Sequence, residues 1–127
     1  MEFAVLVVLL ALAQFTFFTF RTGAARPKYK VNAPKTTGDE SWERLFRVQQ
    51  NTMEQLVVFI PSMLAFSFYV SGLWGLLPGL LFLAGRQLYS YEYISNPGSR
   101  VPGMAMTLLA NGVLLVGSLI GVLFKIF

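Results

Sequence analysis

The chain has 127 residues, of which 55% are hydrophobic and 13% charged, with a formal net charge of +4. Soluble domains carry roughly a quarter charged residues, so this composition excludes an ordinary soluble fold and favours a membrane protein. The chain has no cysteine and no histidine, which leaves it without an obvious catalytic nucleophile of its own.

The first predicted element is an uncharged run over residues 3–20, in which Gln14 is the only strongly polar side chain. At a rise of about 1.5 Å per residue, such a run nearly spans a hydrocarbon core of about 30 Å. We therefore predict a membrane helix over residues 3–21. A cleaved signal peptide is the alternative, because "TGAA" follows, but the run is too long and the only charge before it is Glu2.

The second predicted helix combines a polar start with the apolar run of residues 56–70. Asp39 is a typical N-cap residue, and Glu40 and Glu43 follow in the first turn, where acids complement the helix dipole. The helix is predicted over residues 39–70, which is longer than the bilayer is thick. Pro61 is expected to kink this helix rather than end it.

Two further helices are predicted over residues 73–94 and 102–126. The "NPG" sequence should stop the first of them, Pro78 should kink it, and Pro102 could open the second. "GSLIG" at residues 117–121 offers a small-residue packing surface for oligomer formation. The fold class is thus all-α: a single domain over residues 1–127, built as an integral membrane four-helix bundle.

Basic residues predict the orientation in the membrane. They lie in the first loop, at the start of the second helix and in the third connection, but not in the second loop: Arg21, Arg26, Lys28, Lys30, Lys35, Arg44, Arg47, Arg86 and Arg100. By the positive-inside rule, the first and third loops are cytoplasmic and both termini are on the non-cytoplasmic side. This multi-pass topology suits a bacterial inner membrane or an endoplasmic reticulum membrane. It also explains the positive charge, so we expect no nucleic-acid partner.

The segment "ERLFRVQQNTMEQL" at residues 43–56 places its polar side chains on one helical face about 120° wide. This polar stripe consists of Glu43, Arg44, Arg47, Gln50, Asn51 and Glu54. Glu43 and Arg47 could form an ordinary i,i+4 surface pair. Glu54 lies two residues before the apolar run, where an acid is costly unless it is paired or faces a cavity.

The third helix supplies a matching surface in "GRQLYSYEY". Arg86, Tyr89 and Tyr93 share one face, whereas Tyr91 points elsewhere and is interpreted as an interfacial aromatic residue. Arg100 lies between two turn signals and is either a positive-inside flank or a site residue.

Together these side chains would suit a small peptide-like zwitterion. Arginines bind carboxylates through bidentate, charge-assisted hydrogen bonds, and a buried acid suits an ammonium group. Carboxamides suit peptide bonds, and tyrosines hold an organic body. A thiol peptide would also bring the nucleophile that the chain lacks.

The pattern E-R-x-x-R-x-x-x-N-x-x-E, formed by Glu43, Arg44, Arg47, Asn51 and Glu54, resembles the signature of the membrane-associated proteins in eicosanoid and glutathione metabolism (MAPEG). The resemblance covers nearly the whole chain. It includes the basic first loop "RPKYKVNAPKTTG" and "GRQLYSYEY". It is nearest to the microsomal glutathione transferase and leukotriene-forming synthase branch.

This resemblance implies a homotrimer that binds one glutathione at each subunit interface, near the cytoplasmic side, without a metal. The positions that match glutathione-binding residues of the family are Arg26, Arg47, Gln49, Asn51, Glu54, Tyr89 and Tyr93. Arg100 matches the arginine that stabilises the glutathione thiolate. Gln49 lies away from the polar stripe, which fits a ligand held by two subunits. Pro27 and Gln55 depart from some relatives and leave the glutathione affinity and the acceptor preference open.

The implied activity is conjugation of the glutathione thiolate to a hydrophobic electrophile dissolved in membrane lipid, with reduction of a lipid hydroperoxide as a second reaction. A small multidrug exporter is one alternative, but its coupling glutamate would lie in the first helix, and residues 3–20 contain none. A non-catalytic lipid-binding or scaffold member of the same superfamily is the other. The presence of Arg100 together with the complete polar stripe argues against such a non-catalytic member.

Overall fold

The computed structural model describes residues 1–96, 98 and 100–127. These residues form four long helices and one short one, with no strand among them, which confirms the all-α prediction. The helices are α1 (Glu2–Ala24), α2 (Arg26–Tyr29), α3 (Glu40–Tyr69), α4 (Leu76–Ser95) and α5 (Val101–Ile126).

Most helix ends follow from local chemistry that the sequence displays. Asp39 caps α3, because its Oδ1 accepts a hydrogen bond from the backbone N–H of Trp42 at 3.0 Å. Pro102 lies in the first turn of α5, where its missing N–H is not needed. α4 ends at Ser95, directly before the predicted stop, although Pro97 of that stop lies outside the described residues.

Two local features differ from the predictions. The short helix α2 was not predicted; it is closed by Lys30 in the left-handed conformation at φ 57°. α4 begins at Leu76 rather than at residue 73, because a turn precedes the helix. In this turn the Ser71 hydroxyl accepts a hydrogen bond from the backbone N–H of Trp74 at 3.2 Å. Pro78 therefore lies in the first turn of α4, where it breaks no intrahelical hydrogen bond and needs no kink.

The apolar core lies between α1, α3, α4 and α5. At its centre the rings of Phe59 and Phe82 stack with centroids 3.9 Å apart. Polar side chains hold neighbouring helices at the same depth: Gln14 Nε2 donates to the carbonyl of Leu83 at 3.0 Å. Hydrogen bonds and close packing are the main forces between helices in lipid. The buried core residues are Ala4, Val7, Val8, Ala11, Leu56, Phe59, Met63, Phe66, Phe82, Ala110 and Leu114.

Glycines allow α5 to approach its neighbours closely. A Cβ atom at Gly103 would lie 2.4 Å from the backbone nitrogen of Tyr89, so this end of α5 rests directly on α4. A Cβ atom at Gly117 would lie 2.6 Å from the ring of Phe66 on α3. The two glycines of "GSLIG" therefore pack against α3 within the subunit, and the role of this surface in an oligomer stays a prediction.

Among the described residues, α1, α3 and α5 are long and apolar enough to cross a membrane. The amino terminus lies beside the turn between α3 and α4. A Cβ atom added at Gly72, in that turn, would lie 3.6 Å from the backbone nitrogen of Met1. Gly121, near the end of α5, also packs against the end of α3. The opposite end of the molecule carries α2, the start of α3 and the start of α5. The membrane crossing of α4, the side that each end faces and the trimer stay predictions.

Candidate functional site

A cavity of about 540 Å³ opens at the α2 end of the molecule, between α3, α4 and the start of α5. This volume lies within the usual range for small-ligand sites. We call it the polar cavity. Its lining residues are Phe46, Arg47, Gln50, Asn51, Glu54, Tyr89, Tyr93, Arg100 and Met104.

The polar cavity brings together six of the eight site residues predicted from the sequence: Arg47, Asn51, Glu54, Tyr89, Tyr93 and Arg100. Arg47, Asn51 and Glu54 follow one another at helical spacing, so they lie on one face of α3. The opposite face of the same helix is anchored by the buried side chains of Trp42 and Val48. The packing of α3 thus turns the polar stripe towards the cavity.

α4 contributes an aromatic wall to the cavity. The rings of Tyr89 and Tyr93 stack with centroids 5.6 Å apart and an interplanar angle of 23°. The guanidinium carbon of Arg86 lies 4.3 Å from the centroid of Tyr89, which is cation–π geometry. Tyr91 is 71% exposed and faces away from the cavity, as the helical spacing indicates.

Arg86 lies behind the cavity wall and is fully buried. Its Nη1 donates to Asn51 Oδ1 at 2.6 Å and to the hydroxyl of Thr52 at 3.4 Å. Sequence reasoning placed Arg86 on the tyrosine face but missed its contact with α3. The sequence does contain one indication of this contact: Arg86 lies within a largely apolar helix, where a cation is rarely tolerated without a partner.

Arg100 stands at the start of α5, as the residue before its first turn. Glu92 fixes this junction, because its Oε1 accepts from the backbone N–H of Gly103 at 3.0 Å. A carboxylate also suits the positive end of a helix dipole. Sequence reasoning missed Glu92, since a contact with a backbone N–H on another helix leaves no pattern in the sequence.

A second cavity of about 480 Å³ adjoins the first and shares Phe46, Arg47 and Tyr93 with it. In this cavity Arg44 forms a salt bridge with Glu40, with Nη2 of the arginine 3.0 Å from Oε1 of the glutamate. The alternative Glu43–Arg47 surface pair does not form among the described residues, and Arg47 has no salt bridge within them. Its guanidinium therefore remains available for an anionic ligand.

The other two predicted site residues lie outside both cavities. Arg26 donates to the carbonyls of Lys35 at 2.7 Å and Val31 at 3.4 Å, and lies 4.5 Å from the Trp42 ring centroid. It thereby holds the connection between α2 and α3. Gln49 is half-buried and does not line the polar cavity.

The chemistry of the polar cavity suits an organic zwitterion. Arg47 and Arg100 supply two cations, Glu54 supplies one anion, and Gln50 and Asn51 supply carboxamides. Within the part of the chain that the structure describes, no three His, Cys, Asp or Glu side chains cluster as a metal site would require.

Comparison with known proteins gives one consistent result. The family model described as "MAPEG family" matches residues 3–120. An uncharacterized protein of Synechocystis sp. is 36% identical over 121 residues, which cover 95% of this chain and 88% of that protein. Microsomal glutathione S-transferase 2 of Homo sapiens is 34% identical over 117 residues, covering 92% of this chain and 78% of the transferase. Leukotriene C4 synthase of Cavia porcellus is 27% identical over 117 residues, with coverage of 92% and 78%.

Proposed function

Because this chain belongs to the MAPEG family, we propose that it is a membrane-embedded glutathione transferase that conjugates the glutathione thiolate to lipophilic electrophiles. The observation that carries this proposal is the polar cavity, where two arginines, one glutamate, two carboxamides and a tyrosine stack converge. The microsomal glutathione S-transferase 2 relatives support the same reaction class.

Glutathione carries two carboxylates, one ammonium group and two peptide bonds, and the cavity lining offers a complement to each of these three kinds of group. Arg47 binds a carboxylate through charge-assisted hydrogen bonds. Glu54 binds the ammonium group, and Asn51 binds the peptide backbone. The stack of Tyr89 and Tyr93 covers the body of the ligand.

Arg100 is the catalytic residue in this proposal. A free thiol has a pKa of about 8.5, so only a few per cent is thiolate at pH 7. A nearby guanidinium favours the thiolate, and lowering the thiol pKa by about two units requires about 2.7 kcal/mol. The thiol proton passes to solvent. The thiolate sulfur then forms a bond to the electrophilic carbon while the leaving group departs with its electron pair.

Reduction of a lipid hydroperoxide would use the same thiolate. Its sulfur attacks the terminal peroxide oxygen, the O–O bond breaks, and the lipid alcohol leaves with a proton. A second glutathione converts the sulfenic acid to the disulfide, with release of water. The reaction consumes two glutathione molecules for each hydroperoxide and needs no metal.

The trimer belongs to the proposal as well. Arg26 and Gln49 do not reach the polar cavity of their own subunit, so they would contact glutathione across a subunit interface. With loops one and three in the cytoplasm, glutathione enters from the cytoplasmic side and the electrophile from the lipid.

A conjugation assay on purified protein tests this function. We expect glutathione-dependent turnover with at least one member of a panel of aryl halides, epoxides and lipid hydroperoxides. Glutathione binding without any turnover across the panel would instead support the non-catalytic scaffold function. Absence of both binding and turnover in an intact oligomer would refute the glutathione assignment.

A further inference from the structure

The guanidinium of Arg86 is a buried cation with very few partners. Its side chain is 0% exposed, and it has no salt bridge with any described residue. Asn51 Oδ1 is its near acceptor at 2.6 Å, and Thr52 Oγ1 is a distant one at 3.4 Å. Its Nε and Nη2 atoms have no hydrogen-bond partner among the described residues.

This contact determines which way the Asn51 carboxamide faces. Arginine carries only donors, so the atom of Asn51 that meets Arg86 must be the oxygen. A flipped carboxamide would direct its NH₂ group at the guanidinium. The buried cation would then keep only the Thr52 hydroxyl as an acceptor, which is an expensive arrangement.

With its oxygen bound to Arg86, Asn51 has only its Nδ2 group left for a ligand. Asn51 lines the polar cavity, and Nδ2 donates no hydrogen bond to any described residue. We propose that Arg86 is a positioning residue that makes Asn51 a hydrogen-bond donor towards the cavity, so the ligand must present a carbonyl or carboxylate oxygen there.

This inference rests on the proposed function and specifies it further. In glutathione, a peptide carbonyl or a carboxylate would face Asn51, whereas the ammonium group and the amide N–H groups could not. The ammonium group is then directed to Glu54, the acceptor-only side chain of the cavity lining. Arg86 thereby selects the orientation of the ligand without touching it.

The substitution Asn51→Asp tests the donor role with almost no change in shape. An aspartate keeps an oxygen towards Arg86 but presents an acceptor to the cavity. The matched control is Gln50→Glu, which adds the same charge to the same cavity at a side chain without a contact to Arg86. By isothermal titration in detergent, we expect Asn51→Asp to weaken glutathione binding roughly tenfold to a hundredfold more than the control does.

A melting experiment tests the contact between position 51 and Arg86 without any ligand. If the side chain at position 51 faces Arg86, aspartate there neutralises a cation that is already buried, so Asn51→Asp should raise the melting temperature. The gain should disappear in an Arg86→Gln background, as a double-mutant cycle would show.

Substitution of Arg86 itself provides a third readout. Arg86→Met removes every donor and frees the carboxamide to rotate, so the KM for glutathione should rise while kcat at saturating glutathione changes less. Arg86→Lys keeps a cationic donor and should restore part of the affinity. A purely structural arginine would lower the melting temperature without this separation of KM from kcat.

Two results would overturn the proposal: equal glutathione affinity in Asn51→Asp and Gln50→Glu, or a lower melting temperature in Asn51→Asp than in the wild type. If the wild type binds no glutathione, the proposed function fails. The melting temperatures would still decide whether the side chain at position 51 faces Arg86.

Discussion

Arg86 lies against the ring of Tyr89, and Arg100 lines the same cavity as the tyrosine stack, yet burial gives the two arginines different roles. Arg86 is fully buried and bonded to Asn51, so it acts on the protein. Arg100 is exposed at the cavity, at the start of α5, so it can act on a ligand. Under the proposed function, the same type of side chain would thus orient the ligand at one position and stabilise its charge at the other.

The first residue-scale prediction concerns Arg100. Arg100→Ala should lower turnover and raise the pKa of the bound glutathione thiol, because a cation near the thiolate is removed. Affinity for an S-alkyl glutathione, which has no ionisable thiol, should change much less. Ultraviolet absorption of the thiolate against pH measures the effect directly. If the wild-type and variant titration curves coincide, the Tyr93 hydroxyl becomes the next candidate for stabilising the thiolate.

The second residue-scale prediction concerns the charges of the polar stripe. Glu54→Gln removes the proposed partner of the glutathione ammonium group, and Arg47→Ala removes a carboxylate anchor. Each should weaken glutathione binding roughly tenfold to a hundredfold. Glu43→Gln, which neutralises an acid lining only the adjoining cavity, should have a smaller effect. Unchanged affinity in both stripe variants, with the oligomer intact, would make the stripe structural.

At the scale of the elements, the contact between α4 and α5 decides where Arg100 stands relative to the tyrosines. Gly103 allows the start of α5 to lie against the backbone of Tyr89, and Glu92 accepts the Gly103 N–H at 3.0 Å. Tyr89, Tyr93 and Arg100 line the same cavity. A change at this contact would therefore reach the polar cavity without altering any lining side chain.

Gly103→Ala tests this contact, because its Cβ atom would lie 2.4 Å from the nitrogen of Tyr89. We expect a lower melting temperature and reduced turnover, since α5 must move away from α4. Gly112→Ala is the matched control on the same helix, where a Cβ atom meets nothing within 4 Å. Alanine there should be neutral or stabilising by up to about 1 kcal/mol, because it favours the helix. Equal melting temperatures for the two variants would contradict the close contact.

The whole molecule divides into two ends with different chemistry. One end carries the amino terminus and the turn between α3 and α4, and the other carries both cavities and the basic first connection. Apolar side chains cover much of the surface between them, including Leu77, Leu109 and Val116 at 63%, 60% and 54% exposure. Such a surface suits lipid or other subunits.

The prediction at this scale is a detergent-stable oligomer, expected to be a trimer. Light scattering coupled to size-exclusion chromatography in mild detergent should give three subunits per particle. Because Gly117 packs on Phe66 of its own chain, Gly117→Leu should lower the melting temperature of the subunit rather than dissociate the oligomer selectively. A strictly monomeric species that retained full activity would refute the trimer.

Sequence reasoning recovered features that depend on local periodicity. Helical spacing placed Arg47, Asn51 and Glu54 on one face, and the structure has all three in one cavity. It did not predict the contact between Arg86 and Asn51, which lie 35 residues apart. It also missed Glu92, whose partner is a backbone N–H. Contacts across helices depend on how the helices pack, and a one-dimensional pattern does not contain that information.

The contact between Arg86 and Asn51 also bears on how the chain enters a membrane. An arginine at the centre of an isolated helix opposes insertion by roughly 2.5–3.5 kcal/mol, and α4 is 20 residues long. If α4 crosses the bilayer as predicted, it would leave the translocon most readily with α3 already beside it, so that Asn51 can accept the guanidinium hydrogen bond. Only residues 70–75 separate the two helices. We therefore expect α3 and α4 to integrate as one hairpin during synthesis, before α5 completes the subunit.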